Sequence, residues 1–206
     1  LDIKNITESL IEGNRLLVLG HYGVGKSMAL ARIYSQLVSI YQNKQSLRFP
    51  IYINLRDHQG QTDAVEALHR HAKNIGFNHP DHLVRAWRAG YIILILDGFD
   101  EMAALGWAGK ASKLRDIRYK TMELLRKFIK EQPLKSGLII SGRLNYFDSA
   151  KECTSALSIT GNHKILKIGD FSQSQIEEYL SRKGLSPNLP EWIPTRPLLL
   201  SYLAAK

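Results

Sequence analysis

Five short apolar runs, at residues 16–19, 49–55, 91–96, 137–141 and 164–168, recur along the chain with helix-patterned stretches between them. Each run has strand length. Four are rich in Ile, Leu or Val with little polar alternation, which is how strands covered on both faces read. The stretches between, at 26–41, 62–74, 82–89 and 114–131, carry helical spacing. Strands alternating with helices predict βαβ units and a mostly parallel sheet with helices on both sides. At 206 residues and 44% hydrophobic, the chain is long enough for one well-packed domain with a small appendage. Past the fifth run the pattern changes. "FSQSQIEEYLSRKG" opens with Ser172 as helix cap and Gln175 three residues on, and Gly184 suits the helix end. A proline-rich connection and "LLLSYLAAK" follow. The organisation predicted is an α/β unit over 1–170 and the beginning of a helical region over 171–206, cut short at Lys206.

The first run leads into "GHYGVGKS", residues 20–27, which fits G-x-x-x-x-G-K-[ST] at every fixed position. Glycines at 20, 23 and 25 let the backbone turn so that successive N–H groups point inward at phosphate oxygens. The helix beginning at this point adds its positive end. Lys26 reaches the β- and γ-phosphates in such a loop, and the Ser27 hydroxyl meets Mg²⁺. The third run ends in "YIILILDGFDEM". Asp97 stands at the carboxyl end of a strand, where a carboxylate associated with Mg²⁺ belongs. Asp100 or Glu101, in the next turn, can orient or deprotonate a water. Three carboxylates this close repel one another unless a cation sits among them. The fourth run, "GLIISGRLNYF", delivers Arg143 to the same sheet edge, where a cation can read a γ-phosphate or stabilise transferred charge. One strand falls between the cradle run and the acidic run. In many P-loop ATPases with such an inserted strand, the arginine-bearing strand lies between the cradle strand and the acidic one.

Taken together, these residues resemble a NACHT domain of the STAND class of signal-transducing P-loop NTPases. "LLVLGHYGVGKSMAL", "FPIYINLRD", "YIILILDGFDEM", "LIISGRLNYF", "ILKIGDFSQSQIEEYL" and "RPLLLSYL" carry the likeness over nearly the whole chain. The most telling is an Asp, a small residue, an apolar residue and two adjacent acids. The resemblance implies a three-layer α/β sandwich with sheet order 5-1-4-3-2 and an ATP/ADP switch requiring Mg²⁺. It implies nucleotide contacts at Gly20, Gly23, Val24, Gly25, Lys26, Ser27, Met28 and Pro197, with Pro197 on the adenine. It gives Mg²⁺ to Ser27 and Asp97, hydrolysis to Asp100 and Glu101, and the γ-phosphate to Arg143. The sensor strand reads Ser-Gly-Arg where many members have Thr-Ser-Arg-Pro. The winged-helix domain that helps hold ADP in the family, and its effector and sensor domains, do not occur in these residues. The sensor segment is closest in form to bacterial members, some of which resemble antiviral defence proteins.

The remaining features exclude or redirect. No apolar run reaches the roughly 18–20 residues of a spanning helix, and the N-terminus lacks the basic and apolar regions of a signal peptide. A chain beginning at Leu1 is expected to be a piece of a longer one. One cysteine, Cys153, leaves no internal disulfide and fits a reducing, cytoplasmic setting. Histidines 58, 69, 71, 79 and 82 show no metal-binding spacing and read as ordinary surface or core residues. Trp107 reads as a local packing residue, with docking of a neighbouring subunit as the alternative. The net charge of +9 admits a nucleic-acid partner. Its densest part, Lys110, Lys113, Arg115, Arg118, Lys120, Arg126, Lys127 and Lys130, lies mostly on one amphipathic stretch and reads as a solvated face. Three functions follow: a slow ATP/ADP switch that controls self-oligomerisation and the other domains of its chain, an AAA+-like motor or loader on nucleic acid, and a module that binds nucleotide without hydrolysis. The intact Asp97, Asp100 and Glu101 oppose the third. The Gly-Phe between Asp97 and the acid pair opposes the second.

Overall fold

A computed structural model describes residues 2–102, 111–159, 163–185 and 195–205. Five strands form one sheet: β1 (Arg15–Gly20), β2 (Phe49–Asn54), β3 (Ile92–Asp97), β4 (Leu138–Arg143) and β5 (His163–Ile168). All pair in parallel, in the order β2-β3-β4-β1-β5. This is the expected 5-1-4-3-2 order, with the Arg143 strand between the cradle strand and the acidic strand.

The helices are α1 (Ile3–Ile11), α2 (Lys26–Gln42), α3 (Ala64–Asn74), α4 (Pro80–Arg88), α5 (Ala111–Thr121), α6 (Glu123–Glu131), α7 (Ala150–Ala156), α8 (Gln173–Arg182) and α9 (Pro197–Leu203). Side chains alternate across each strand, so each strand feeds two cores. Leu16 and Val18 of β1, Ile93 and Ile95 of β3 and Ile139 of β4 pack under α1 and α2. Leu17, Leu19, Leu94, Leu96, Leu138 and Ile140 pack against α3, α4, α6 and α7. All six residues of β3 are buried. Helices on both faces remove the need for polar alternation. At the sheet edge, β5 has no fully buried residue, in keeping with a strand paired on one side.

Three helical features differ from the sequence expectation. Helix α1 is capped by Asp2, whose side chain accepts from Asn5 N–H, and it buries Ile6 and Leu10. Helix α7 is capped by Ser149, which accepts from Glu152 N–H. Neither helix was expected, although both caps are of the favoured kind. The single helix expected over 114–131 is two helices that break at Met122 (φ −82°, ψ 7°). Thr121 donates its hydroxyl to the Ile117 carbonyl at 2.8 Å, a back-bond that bends helices. The fully buried Met122 is drawn into the core at that bend.

Past β5, the capping box at Ser172 and Gln175 is formed, and Gly184 takes φ +69° at the end of α8. Ile176, Leu180 and Leu200 make a small separate cluster with Phe171 and Tyr179. Trp107 and Lys110 lie outside the described residues, as does most of the proline-rich connection.

Candidate functional site

The loop from β1 to α2 is shaped by two glycines in the left-handed region, Gly23 at φ +79° and Gly25 at φ +90°, where other residues are strained. Gly25 caps α2 without a side chain, and the first turn holds no acid. In α1, α3, α7 and α8 a side-chain oxygen closes this end. The α2 donors therefore face the loop with no side-chain acceptor, which suits an anion at a helix N-terminus. Lys26 Nζ donates to the carbonyls of Gly20 and His21, each at 3.0 Å. Burial lowers the Lys26 pKa; Asp100, Asp97 and Glu101 pull it back up, and Arg143 lowers it further. Those four side chains act on one ammonium, so the structure brings together the charged groups expected from three separate motifs. Val24 is buried beneath the loop, while Met28 is exposed and Ser27 also faces solvent.

Each carboxylate has its own partners. Asp97, 7% exposed, accepts from the Tyr52 hydroxyl at 2.5 Å and from the Ser141 hydroxyl. Burial first, then the hydrogen bond to Asp97, raises the Tyr52 pKa far above its ordinary value, so the phenol remains a donor. Asp100 accepts from Arg143 twice, from Nε at 2.7 Å and from the backbone N–H at 2.9 Å. The Arg143 guanidinium also lies 5.0 Å from the Tyr22 ring centroid. Glu101 accepts from Arg56, through Nη2 at 2.6 Å and Nε at 2.7 Å, and its carbonyl accepts from Gln59 at 2.7 Å. The mutual repulsion anticipated for the three acids is thus met by two arginines at Asp100 and Glu101. Asp97 pairs with no arginine or lysine among the described residues and keeps acceptor capacity beyond its two hydroxyl partners, so it and Ser27 fit the Mg²⁺ role.

Tyr52, Arg56 and Ser141 were not anticipated. A signal existed: an order with β2 beside β3 puts "YINLRD" against "LDGFDE", and Asn54 does stand opposite Asp97. Ser141 reaches Asp97 from β4, and its oxygen and carbonyl both accept from Gly98 N–H, at 3.0 and 3.2 Å. The departure at Gly142 has a steric reason. A Cβ there would overlap the Phe99 ring, which is fully buried beside Tyr146 and Phe147. Gly142→Ala is expected to cost about 1–3 kcal/mol or more through overpacking. The check is the midpoint of thermal or denaturant unfolding; an unchanged midpoint contradicts it.

Pro197 opens α9 beside the cradle. The Leu198 N–H donates to the Gly23 carbonyl at 3.1 Å, and the Leu198 side chain covers Gly23. The Phe171 N–H donates to the Thr195 carbonyl at 3.0 Å. The start of α9 is held both to the loop and to the chain leaving β5. Other groups lie apart from this site. Cys153 is buried, and burial pushes its thiol pKa up to about 11, which leaves it unreactive. His58 is buried against Gln61, and His79 stacks on His82 at 5.1 Å. A largely apolar cavity of about 700 Å³ runs along β2 between Tyr34, Phe77 and Leu83; its lining lacks the backbone donors of the cradle.

A parallel sheet with this strand order and a glycine cradle opening on α2 define a P-loop NTPase. Within that class, the NACHT domain family matches residues 14–186, and the chain belongs to the NACHT family of P-loop NTPases. Solved structures share the fold. Drosophila ORC bound to DNA superposes with a TM-score of 0.55 at 13% identity, over 98% of this chain and 53% of that one. The Aeropyrum pernix ORC1 protein in complex with DNA gives 0.50 at 18% identity, over 87% of this chain and 47% of that one. The chain spans about half the length of each. A search of curated proteins gives no match. Among the described residues, no helix is long and apolar enough to cross a membrane.

Proposed function

We propose that this NACHT domain is a slow ATP/ADP switch of the STAND kind, whose nucleotide state controls other parts of a longer chain and its self-oligomerisation. The observation that carries the reading is the contact of α9 with the cradle: the Gly23 carbonyl is held by Leu198 N–H. A loop that rearranges around phosphate therefore acts directly on the segment that follows. In this reading residues 1–170 form the nucleotide-binding body and 171–206 begin a helical domain. The N–H groups of the loop from Gly20 to Gly25, with those of Lys26, Ser27 and Met28, hold phosphate, Lys26 neutralises it, and Pro197 flanks the base. Bound Mg²⁺ would neutralise charge on the β- and γ-oxygens, held by Ser27 and Asp97. Glu101 takes a proton from water while Arg143, released from Asp100, meets the γ-phosphate. A cytoplasmic signalling or defence role is the setting this chemistry fits.

The +9 charge favours a second reading, a motor or loader on nucleic acid. Part of its densest cluster is met from within. Arg118 pairs with Asp148 and Glu152, Lys127 lies 3.9 Å from Asp63, and Arg126 donates to the carbonyls of Tyr119 and Ala156. Steady-state hydrolysis separates the two readings. The switch predicts turnover below about 1 s⁻¹, at the slow end of enzyme rates, and unchanged within twofold by duplex DNA. A severalfold stimulation that added salt removes would establish the motor instead.

A further inference from the structure

We propose that Tyr52 is a positioning residue for Asp97, fixing the plane of that carboxylate for Mg²⁺ from the neighbouring strand. The proposal rests on the reading of Asp97 as the Mg²⁺-associated acid. Asp97 ends β3, and the two strands flanking β3 each send it one hydroxyl: Tyr52 from β2 to Oδ2 at 2.5 Å, and Ser141 from β4 to Oδ1. A carboxylate has about four acceptor sites, two on each oxygen. One hydroxyl on each oxygen fixes the rotation of the group and leaves one site per oxygen for a water or an ion.

The two donors are not equivalent. Ser141 Oγ also accepts from Gly98 N–H at 3.0 Å, so its position is set by the turn that follows Asp97. Tyr52 is set from outside that turn. Its ring meets Tyr34 of α2 edge-on, with centroids 5.9 Å apart, and α2 is the helix that begins with Lys26 and Ser27. Tyr52 is therefore wedged between the helix that would supply the serine ligand and the strand that supplies the acid. Partners one shell out from a metal ordinarily matter about 10- to 100-fold in affinity. Where the acid acts through water, the lower end of that range is expected.

The test is Tyr52→Phe, which keeps the ring and its contact with Tyr34 and removes only the hydroxyl. ATP binding is titrated against Mg²⁺ concentration, and separately in a chelator, for the parent, Tyr52→Phe and Asp97→Asn. The expected result is a rise of about tenfold in the Mg²⁺ concentration for half-saturation in Tyr52→Phe, with ATP affinity in chelator unchanged. A purely structural role would lower both affinities together, or neither, and would overturn the proposal. So would a lower Mg²⁺ midpoint. If Asp97→Asn keeps the parental Mg²⁺ dependence, the reading of Asp97 fails and Tyr52 with it. If Asp97→Asn loses that dependence while Tyr52→Phe keeps it, the proposal for Tyr52 fails alone.

Discussion

Glu101→Gln is expected to bind Mg·ATP within about threefold of the parent and to lose at least 100-fold in turnover, since a positioned general base contributes about 10²–10⁴. The three acids divide by access. Asp97 is 7% exposed and held by two hydroxyls. The Asp100 side chain is 6% exposed and doubly engaged by Arg143. The Glu101 side chain is 32% exposed, so among the three it is the one a water can reach. Arg56 holds it at 2.6 Å while standing 66% exposed itself, so this ion pair contributes at most about 1 kcal/mol to stability. Gln keeps the length and shape of the side chain, and the fold is expected to persist. Phosphate release and equilibrium binding measured on the same preparation check the split. Parental turnover would move the catalytic role to Asp100.

Lys26→Ala is expected to weaken ATP binding by roughly 30-fold to several-thousand-fold, the equivalent of about 2–5 kcal/mol for removing one partner of a buried charged pair. Nζ is held by the Gly20 and His21 carbonyls at 3.0 Å. Burial depresses its pKa, and the three surrounding acids oppose that depression. A phosphate arriving there replaces carbonyl dipoles with full negative charge. Alanine would leave that charge facing Asp97, Asp100 and Glu101, the acids that act on the Lys26 ammonium together with Arg143, so binding should suffer far more than folding. Unaltered unfolding with lost binding is the expected pair of results.

The parts of the molecule that could be read from sequence are those in which neighbours in space are neighbours in sequence. The cradle lies within eight residues, and the acidic turn reads directly from "LDGFDEM". Strands β1, β3 and β4 were legible because helices cover both faces and each carries an unbroken run of three or more apolar residues. Helices α1 and α7 were missed: α7 is seven residues long with its cap at Ser149 as the main signal, whereas α1 does carry helical spacing at Ile3, Ile6, Leu10 and Ile11 behind its Asp2 cap, a pattern that could have been read. The break at Met122 follows from Thr121 competing for a helix carbonyl, which apolar spacing does not register. The partners of the acids come from lateral strand pairing. Tyr52 and Asp97 are 45 residues apart, as are Arg56 and Glu101, and Ser141 and Asp97 are 44 apart. The strand order foreshadowed these contacts, but the rotamers that make them did not appear in any local pattern.

Calorimetric titration of Mg·ATP and Mg·ADP into this chain, with Lys26→Ala as the paired control, tests the central claim most directly. Saturable binding of one nucleotide per chain that the variant loses is the predicted result. No binding by the parent, or equal binding by both, would contradict the assignment of residues 20–27 as the phosphate cradle.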